Sequence, residues 1–405
     1  MGSDPRHRPQ RPRIAGPGDP GILAAAALPR PSGRPATTED PVEMSGKRKA
    51  TIADVARRAG VSTATAGRVL GGYGYSSGEK RDLVMKAAED LGYRANQLAR
   101  SLITGRTQTI GIVAGDIQSP FYAKILRGVS DALRADGIGL LITNSDETID
   151  GELEAIRLLQ EKQVDGMILS PCDTHSADHL RAIAAAMPMV LIDREVEGLE
   201  VDSVGINSVA AAETHVLRLI EAGHRRIGIV AELHSGPWRD PAEFIAHVRR
   251  DPGSLGPMFP SWQRFMGYVL AHDRAGLPID PALIARANSY QRADACREAV
   301  RLLRQPDRPD AVFAVDGLMT EGTMAAVSET GLSIPRDLSF LAFDDLDWMS
   351  FIPPGISAIA QPRRAMGEAA ARLLIERIEG LQDPPRRICL DTRYIERGSV
   401  RSGPA

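Results

Sequence analysis

Residues 51–70 read TIADVARRAGVSTATAGRVL. Ile52, Val55, Ala56 and Ala59 stand at offsets 0, 3, 4 and 7, one face of a helix. Thr51 is placed to cap its start, and Gly60 follows its end, where a left-handed residue is wanted. Ser62 caps a second helix in which Ala66, Val69 and Leu70 face inward, leaving Thr63, Ala64, Gly67 and Arg68 outside. Two helices joined by so short a turn, with the small Ala56 at their crossing, predict a helix-turn-helix. A third helix from about 79 to 91 closes the unit through Val84, Ala87, Ala88 and Leu91, with Ser76 and Glu79 spaced as a capping box. The second helix can enter a DNA major groove, where Arg68 suits guanine O6/N7 and the methyls of Thr63 and Ala64 suit thymine. A helical bundle that binds protein is the competing reading.

Outward from this stretch, charge separates the chain into parts. Its 405 residues carry a net −3, but 47–106 hold twelve Lys/Arg against five Asp/Glu, a balance of +7. Residues 1–46 come to +1, which leaves −11 for 107–405. A basic head on an acidic body is the electrostatic footprint of a duplex partner, although a solvated charged face gives the same count. Aromatics are only 4%, so the cores must be built from Ala, Leu, Ile and Val. Residues 1–46, with nine prolines and no periodicity, read as a disordered tail, and Met44 is a candidate true start. Cys172, Cys296 and Cys389 are scattered and form no CxxC pair, which argues against a zinc site or disulfide framework and fits a reducing compartment. No apolar run reaches the ~18 residues of a membrane helix. The run at 22–28 is short and fenced by prolines, so neither a membrane partner nor a secretory signal is expected, and the chain is assigned to the cytoplasm.

From 107 onward strand-like runs alternate with helical ones: 109–114, 139–143, 166–170, 189–193, 227–231, 311–315 and 338–344. Such alternation predicts parallel sheet covered by helices, and roughly 290 residues is long for one sheet, so two similar lobes are expected. Between head and body, Asn96–Leu102 reads as one short helix capped by Asn96, too short to be stable alone. The expected division is a tail (1–46), a DNA-binding head (47–92), a hinge (93–106) and a two-lobed effector-binding and dimerisation body (107–400).

Several stretches then match one family in order and spacing: TIADVARRAGVSTATAGRVL (51–70), GYRANQLARSLITGRTQTIGIV (92–113), DIQSPFYAKILRGV (116–129), VDGMILSP (164–171), PMVLIDR (188–194), GHRRIGIV (223–230), RPDAVFAV (308–315) and IPRDLSFLAFDD (334–345). The chain resembles the lactose-repressor/galactose-repressor (LacI/GalR) family of transcription regulators. The resemblance implies a small all-α helix-turn-helix domain plus an α/β domain of two parallel-sheet lobes, like the periplasmic sugar-binding proteins. Lobe crossovers are then expected near Asn207, Pro362 and Leu390. It also implies that Thr63 and Ala64 set operator specificity, that Arg68 touches base or phosphate, and that Ser62, Thr65, Tyr75 and Ser77 hold phosphates. Thr51 is counted with these DNA-facing residues. The chain departs from the pattern at Gly67 and Gly71, where Ser and Asn are usual, and Gly67 costs the helix up to ~1 kcal/mol of propensity. In the hinge, Leu102 takes the place of the leucine that wedges into the minor groove when two subunits pair. Ala95 replaces the usual proline there. A plain linker whose leucine packs on the body is the other reading.

Ligands of such sheets bind at the carboxyl ends of strands. Phe121 and Tyr122 follow the first strand and can stack on a sugar; Asp193 and Arg194 end the fourth; Asp344 ends a later one. The resemblance adds Arg264 as the cleft arginine, Tyr290 as an aromatic wall, and Asp316, shifted one place from the usual acid. Asp suits vicinal hydroxyls, and Arg forks onto carboxylates or ring oxygens. A surface ion pair or a capping Asp is the alternative at each position. Residues 232–262 form a connection longer than usual by roughly twenty residues, either a lid or specificity element beside the cleft or a loop packed on the outer surface. No catalytic set, cofactor motif or metal-ligand spacing is present. The neighbours Asp344 and Asp345 point apart at a strand end. The expected protein is a DNA-binding regulator, most often a repressor, forming a homodimer or tetramer, with duplex operator DNA and a carbohydrate-like effector as partners. A solute-binding protein of the same fold is the alternative, and the basic head fits it poorly.

Overall fold

The computed structural model describes residues 50–71, 76–93, 105–234, 238 and 240–401. The head is three helices, α1 (Ile52–Ala59), α2 (Thr63–Gly71) and α3 (Gly78–Asp90). Thr51 and Asp54 cap α1 reciprocally: the Asp54 N–H reaches Thr51 Oγ1 at 3.3 Å, and the Thr51 N–H reaches Asp54 Oδ2 at 3.0 Å. Gly60 ends that helix at φ +64°. Val55, Ala56, Ala66, Val69, Val84 and Ala87 close one small core, and Ala56 is buried where the helices cross. Two expectations fail at α3. Its cap is Ser77, without a side-chain capping bond, so the box at Ser76 and Glu79 is not formed. The helix also ends at Asp90, which puts Leu91 off its inner face and 37% exposed, while Tyr93 packs on the core instead.

The body is two six-stranded sheets. The first uses β1 (Thr109–Ala114), β2 (Gly139–Asn144), β3 (Gly166–Leu169), β4 (Met189–Ile192), β5 (Asp202–Ile206) and β11 (Arg387–Leu390). The second uses β6 (Ile227–Glu232), β7 (Ile284–Ala287), β8 (Ala311–Ala314), β9 (Ser339–Phe343), β10 (Ser357–Ala360) and β12 (Arg393–Ile395). Their orders are β11-β5-β4-β3-β1-β2 and β12-β10-β9-β8-β6-β7, one plan used twice. Every pairing is parallel except β12 on β10. Helices cover both faces, as parallel sheet requires. The sequence reading missed β5, β7, β10, β11 and β12, all short and close to a sheet edge.

The chain crosses between lobes three times. After β5, Asn207 caps α7 (Ser208–Glu221) by accepting the Ala210 N–H at 2.9 Å, and α7 packs in the second lobe against α9 (Pro260–Arg274). After β10 it returns through Gln361 and Pro362 to α12 (Arg363–Ile378), and after β11 it leaves again for β12. These are the expected crossover points. In the first lobe α12 lies on α4 (Pro120–Ala135), each contributing a glycine to the contact. A methyl on Gly367 would overlap the Ile125 carbonyl, and one on Gly128 the Arg364 carbonyl. Gly267 of α9 meets the Val209 carbonyl of α7 in the same way.

The long connection forms α8 (Pro241–Arg250), capped by Asp240. Phe244 is fully buried, with ring centres 4.7 Å from Trp262 and 5.6 Å from Phe265, and Trp238 stands edge-on to it at 5.5 Å. This part enlarges the second lobe's core, and the segment then runs back to the cleft at Phe259.

Gly367→Ala tests the close helix crossing. In an open helix alanine would gain up to ~1 kcal/mol over glycine. Here overpacking should reverse the sign and cost about 1–3 kcal/mol, lowering Tm in a thermal melt by at least about 2–4 °C. A raised Tm would contradict the crossing.

Candidate nucleic-acid interface and interlobe cleft

On the head, Thr63, Ala64 and Arg68 are exposed along α2. The only hydrogen bond of the Arg68 side chain among the described residues is a long one, Nε to the Ala64 carbonyl at 3.4 Å, so its guanidinium tip is free for another partner. Ser62 Oγ accepts the Thr65 N–H at 3.1 Å and pairs with the Thr65 hydroxyl at 2.9 Å, tying both hydroxyls to the start of α2. That helix end presents N–H groups suited to phosphate. Ser77 is exposed and makes no capping bond, whereas the Thr51 hydroxyl is held by Asp54 at 2.7 Å. Tyr75, Asn96 and Leu102, and with them the expected hinge helix, lie outside the described residues.

A cleft of about 820 Å³ opens at the carboxyl ends of both sheets, and all eight side chains expected there line it. Phe121 and Tyr122 start α4 behind the Ser119 cap. Their rings meet edge-on at 5.2 Å, and the Tyr122 hydroxyl lies 2.8 Å from Ser170 Oγ. Tyr290 comes from the loop after β7. Asp316 caps α11 (Gly317–Thr330), its Oδ1 accepting the N–H groups of Leu318 and Met319 at 2.8 Å each.

Asp193 and Asp344 are equivalent positions of the doubled plan. Each directly follows the fourth strand of its sheet in left-handed backbone, at φ +70° and +75°. The N–H of each is bonded to the next strand at 2.9 Å, to Val204 and Ile359 respectively. Left-handed backbone costs a non-glycine residue about 1–2 kcal/mol, and Asp is among the residues that tolerate it best. The turn aims both carboxylates at the gap between the lobes. Asp193 takes no side-chain hydrogen bond among the described residues; the nearest cation is Arg194 Nε at 3.6 Å. Asp344 Oδ1 accepts from Gln361 Nε2 at 2.8 Å.

The two arginines are already engaged. Arg194 forks onto Glu147 at 2.5 and 2.9 Å, donates to the Pro171 carbonyl at 3.0 Å, and lies 4.8 Å from the Phe259 ring centre. Arg264, only 4% exposed, donates to the Val315 carbonyl at 2.7 Å and stacks 3.9 Å over Phe343. Its Nε, and Gln361 Oε1 nearby, have no hydrogen-bond partner among the described residues. Across the mouth, the lobes meet through Phe259 on Arg194 and through Lys124 and Asp347 at 2.7 Å.

Glu147, Glu232, Phe259 and Gln361 line the cleft and were not anticipated. The strand-end rule reaches three of them: Glu147 lies beyond β2, Glu232 ends β6, and Gln361 follows β10. Phe259 comes from the long connection and follows no strand. Burial dominates the two most perturbed carboxyls. It pushes Asp193 up to about 6 against the pull of Arg194, and Asp316 up to about 7 against the capping N–H of Met319 and the charge of Arg264.

Comparison with known proteins gives two profile matches: "Bacterial regulatory proteins, lacI family" over residues 51–96 and "Periplasmic binding protein-like domain" over residues 216–400. The HTH-type transcriptional repressor CytR of Escherichia coli (strain K12) is 33% identical, over 88% of this chain and 97% of the relative. A solved transcriptional regulator CelR–cellobiose complex is 28% identical over 86% of this chain and 99% of that one, with a TM-score of 0.61. The lac repressor dimer bound to operator and the anti-inducer ONPF, 19% identical, covers 88% of this chain and all of its own (100%) at a TM-score of 0.71, a likeness of fold.

The raised carboxyls carry a signed pH dependence. Well below pH 4 both are protonated in folded and unfolded chain alike. From about pH 4 to pH 7 the unfolded chain gives up protons that the folded cleft keeps, so their share of stability is lost as pH rises. Asp316→Asn keeps a capping side chain and removes the titration. The Tm of that variant relative to the parent should therefore be higher at about pH 7.5 than at about pH 5. A difference independent of pH would refute the buried-carboxyl account.

Proposed function

The chain belongs to the LacI family of bacterial transcription regulators, and from that premise we propose that it is a cytoplasmic, homodimeric repressor whose grip on operator DNA is set by a carbohydrate-like molecule in the interlobe cleft. The single observation that carries this reading is the union, in one chain, of an exposed Thr63–Ala64–Arg68 face on a helix-turn-helix with a polar cleft between two sheets. Relatives named as a repressor and as a regulator in complex with cellobiose support it. The activity is binding, and the matched relatives are named as regulators.

Each subunit of the dimer sets α2 in the major groove of one half-site of a near-palindromic operator. Thr63 and Ala64 read bases, Arg68 contacts base or phosphate, and Ser62, Thr65, Tyr75, Ser77 and the capped Thr51 end hold the backbone. Residues 47–92 act as the head, 93–106 as the hinge and 107–400 as the body. Asn96–Leu102 becomes helical where two hinges meet over the minor groove, and Leu102 wedges a base step open. The body grips the emerging chain at its first lobe: the N–H groups of Thr107 and Gln108 both donate to Asp165 at 2.7 Å, and Arg106 to the Ile378 carbonyl at 2.6 Å. An effector held by Phe121, Tyr122, Asp193 and Arg194 on one lobe, and by Arg264, Tyr290, Asp316 and Asp344 on the other, draws the lobes together. That movement shifts the two anchors and decides whether the hinges can pair. The coupling is reciprocal: an effector that weakens operator binding is itself bound more weakly on DNA.

Two variants test the proposal with separate readouts. Arg68→Ala should weaken binding to the promoter-proximal operator by about 5- to 150-fold, the equivalent of ~1–3 kcal/mol, in a mobility-shift titration, with the effector's thermal shift unchanged. Asp344→Ala should remove the effector's thermal shift and leave operator binding without effector intact. Parental behaviour from both would overturn the assignment.

A further inference from the structure

Eight of the residues lining the cleft are Asp or Glu, against three Arg and His234. The cations are not held in reserve. Arg194 has given both arms of its fork to Glu147, and the charge of Arg264 acts on Asp193 and Asp316 while one arm is held by a main-chain carbonyl. Arg292 is exposed at the rim, and His234 is paired with Glu232. A carboxylate group on a ligand would have to displace Glu147 from Arg194, or enter beside Arg264 in a cleft also lined by Asp193, Asp316 and Asp344, where like charges repel more strongly than in water.

The hydrogen-bonding inventory points the same way. Ionised carboxylates only accept. Among the described residues Asp193 is offered no donor, and Asp344 is offered one, by Gln361. The cleft therefore asks its ligand for donors. It also holds two buried donors and one buried acceptor without hydrogen-bond partners among the described residues, Arg194 Nε, Arg264 Nε and Gln361 Oε1, and a hydroxyl can serve any of them. The rings of Phe121 and Phe259 add apolar faces on the first-lobe and second-lobe sides.

Resting on the reading that this cleft is the effector site, we infer that the effector is rich in hydrogen-bond donors and carries no anionic group. A neutral sugar, polyol or nucleoside fits; a sugar acid or a phosphate ester does not. Glu147 acts here as a specificity residue: by occupying Arg194 it closes the cleft's readiest anion-binding fork.

The test uses the full-length protein and matched pairs that differ only in an anionic group: glucose and gluconate, ribose and ribose 5-phosphate, cellobiose and cellobionate, adenosine and its monophosphate. Binding is measured by calorimetry at about pH 7.5. At least one neutral member should bind, with its anionic partner at least tenfold weaker. Glu147→Gln, which frees Arg194, should narrow that gap, and Asp193→Asn and Asp344→Asn should weaken the neutral binder. An anionic member that binds as well as its neutral partner overturns the inference, as does a panel without a neutral binder or a gap that Glu147→Gln leaves unchanged. Failure of the underlying reading looks different: a ligand whose affinity is indifferent to Asp193→Asn, Asp344→Asn and Glu147→Gln alike is bound outside the cleft, whatever its charge.

Discussion

The body is organised around buried carboxylates that face one another across a gap. Asp193 and Asp344 come from equivalent turns of two similar sheets, and Asp316 joins them from a helix cap. Taking acids out of water is unfavourable unless donors or cations meet them. The protein meets the demand through two backbone N–H groups on Asp316, Gln361 on Asp344 and the charge of Arg264, and burial holds Asp193 and Asp316 protonated up to about pH 6 and about pH 7. On the proposed reading, a ligand that donates from both sides meets the acceptors that the protein itself leaves open. Binding and approach of the lobes are then one event, because the groups that need the donors belong to different lobes.

How far this could be read from the amino acids depended on range. The helix-turn-helix was legible because its face, caps and turn all lie within twenty consecutive residues. Its errors, Leu91 and the box at Ser76, are one-residue errors of phase at the end of a helix. Central strands were legible as apolar runs such as Ile110–Ala114 or Phe340–Phe343. Strands near the edges, such as DSVGI or SAIA, carry too few large apolar residues to stand out. The strands led to the site only in part: Asp193 and Asp344 follow strands that stand out and Gln361 follows one that does not, but Glu147 and Glu232 went unread although β2 and β6 were legible. The Glu147–Arg194 fork joins residues 47 apart, and no local pattern announces it.

The long connection packs on the outside of the lobe through its helix and reaches the cleft at its far end. Its helix is an outer packing element, held by Phe244 between Trp238, Trp262 and Phe265. Its far end is a wall of the cleft, where Phe259 covers the exposed side of a pinned guanidinium. A rigid aromatic stack supports a contact made by a single ring, so the position of that ring is set by the second lobe's core and not by a loose loop.

The threefold passage of the backbone between the lobes constrains how they can move. A single tether would leave one lobe free to swivel on the other. The three crossings, at 206–208, 360–363 and 390–393, start from neighbouring strand ends, Ile206 beside Leu390 and Ala360 beside Arg393, so the lobes are joined by adjacent tethers and not by scattered ones. Adjacent tethers of this kind leave the two lobes fewer ways to move against each other than a single connection would.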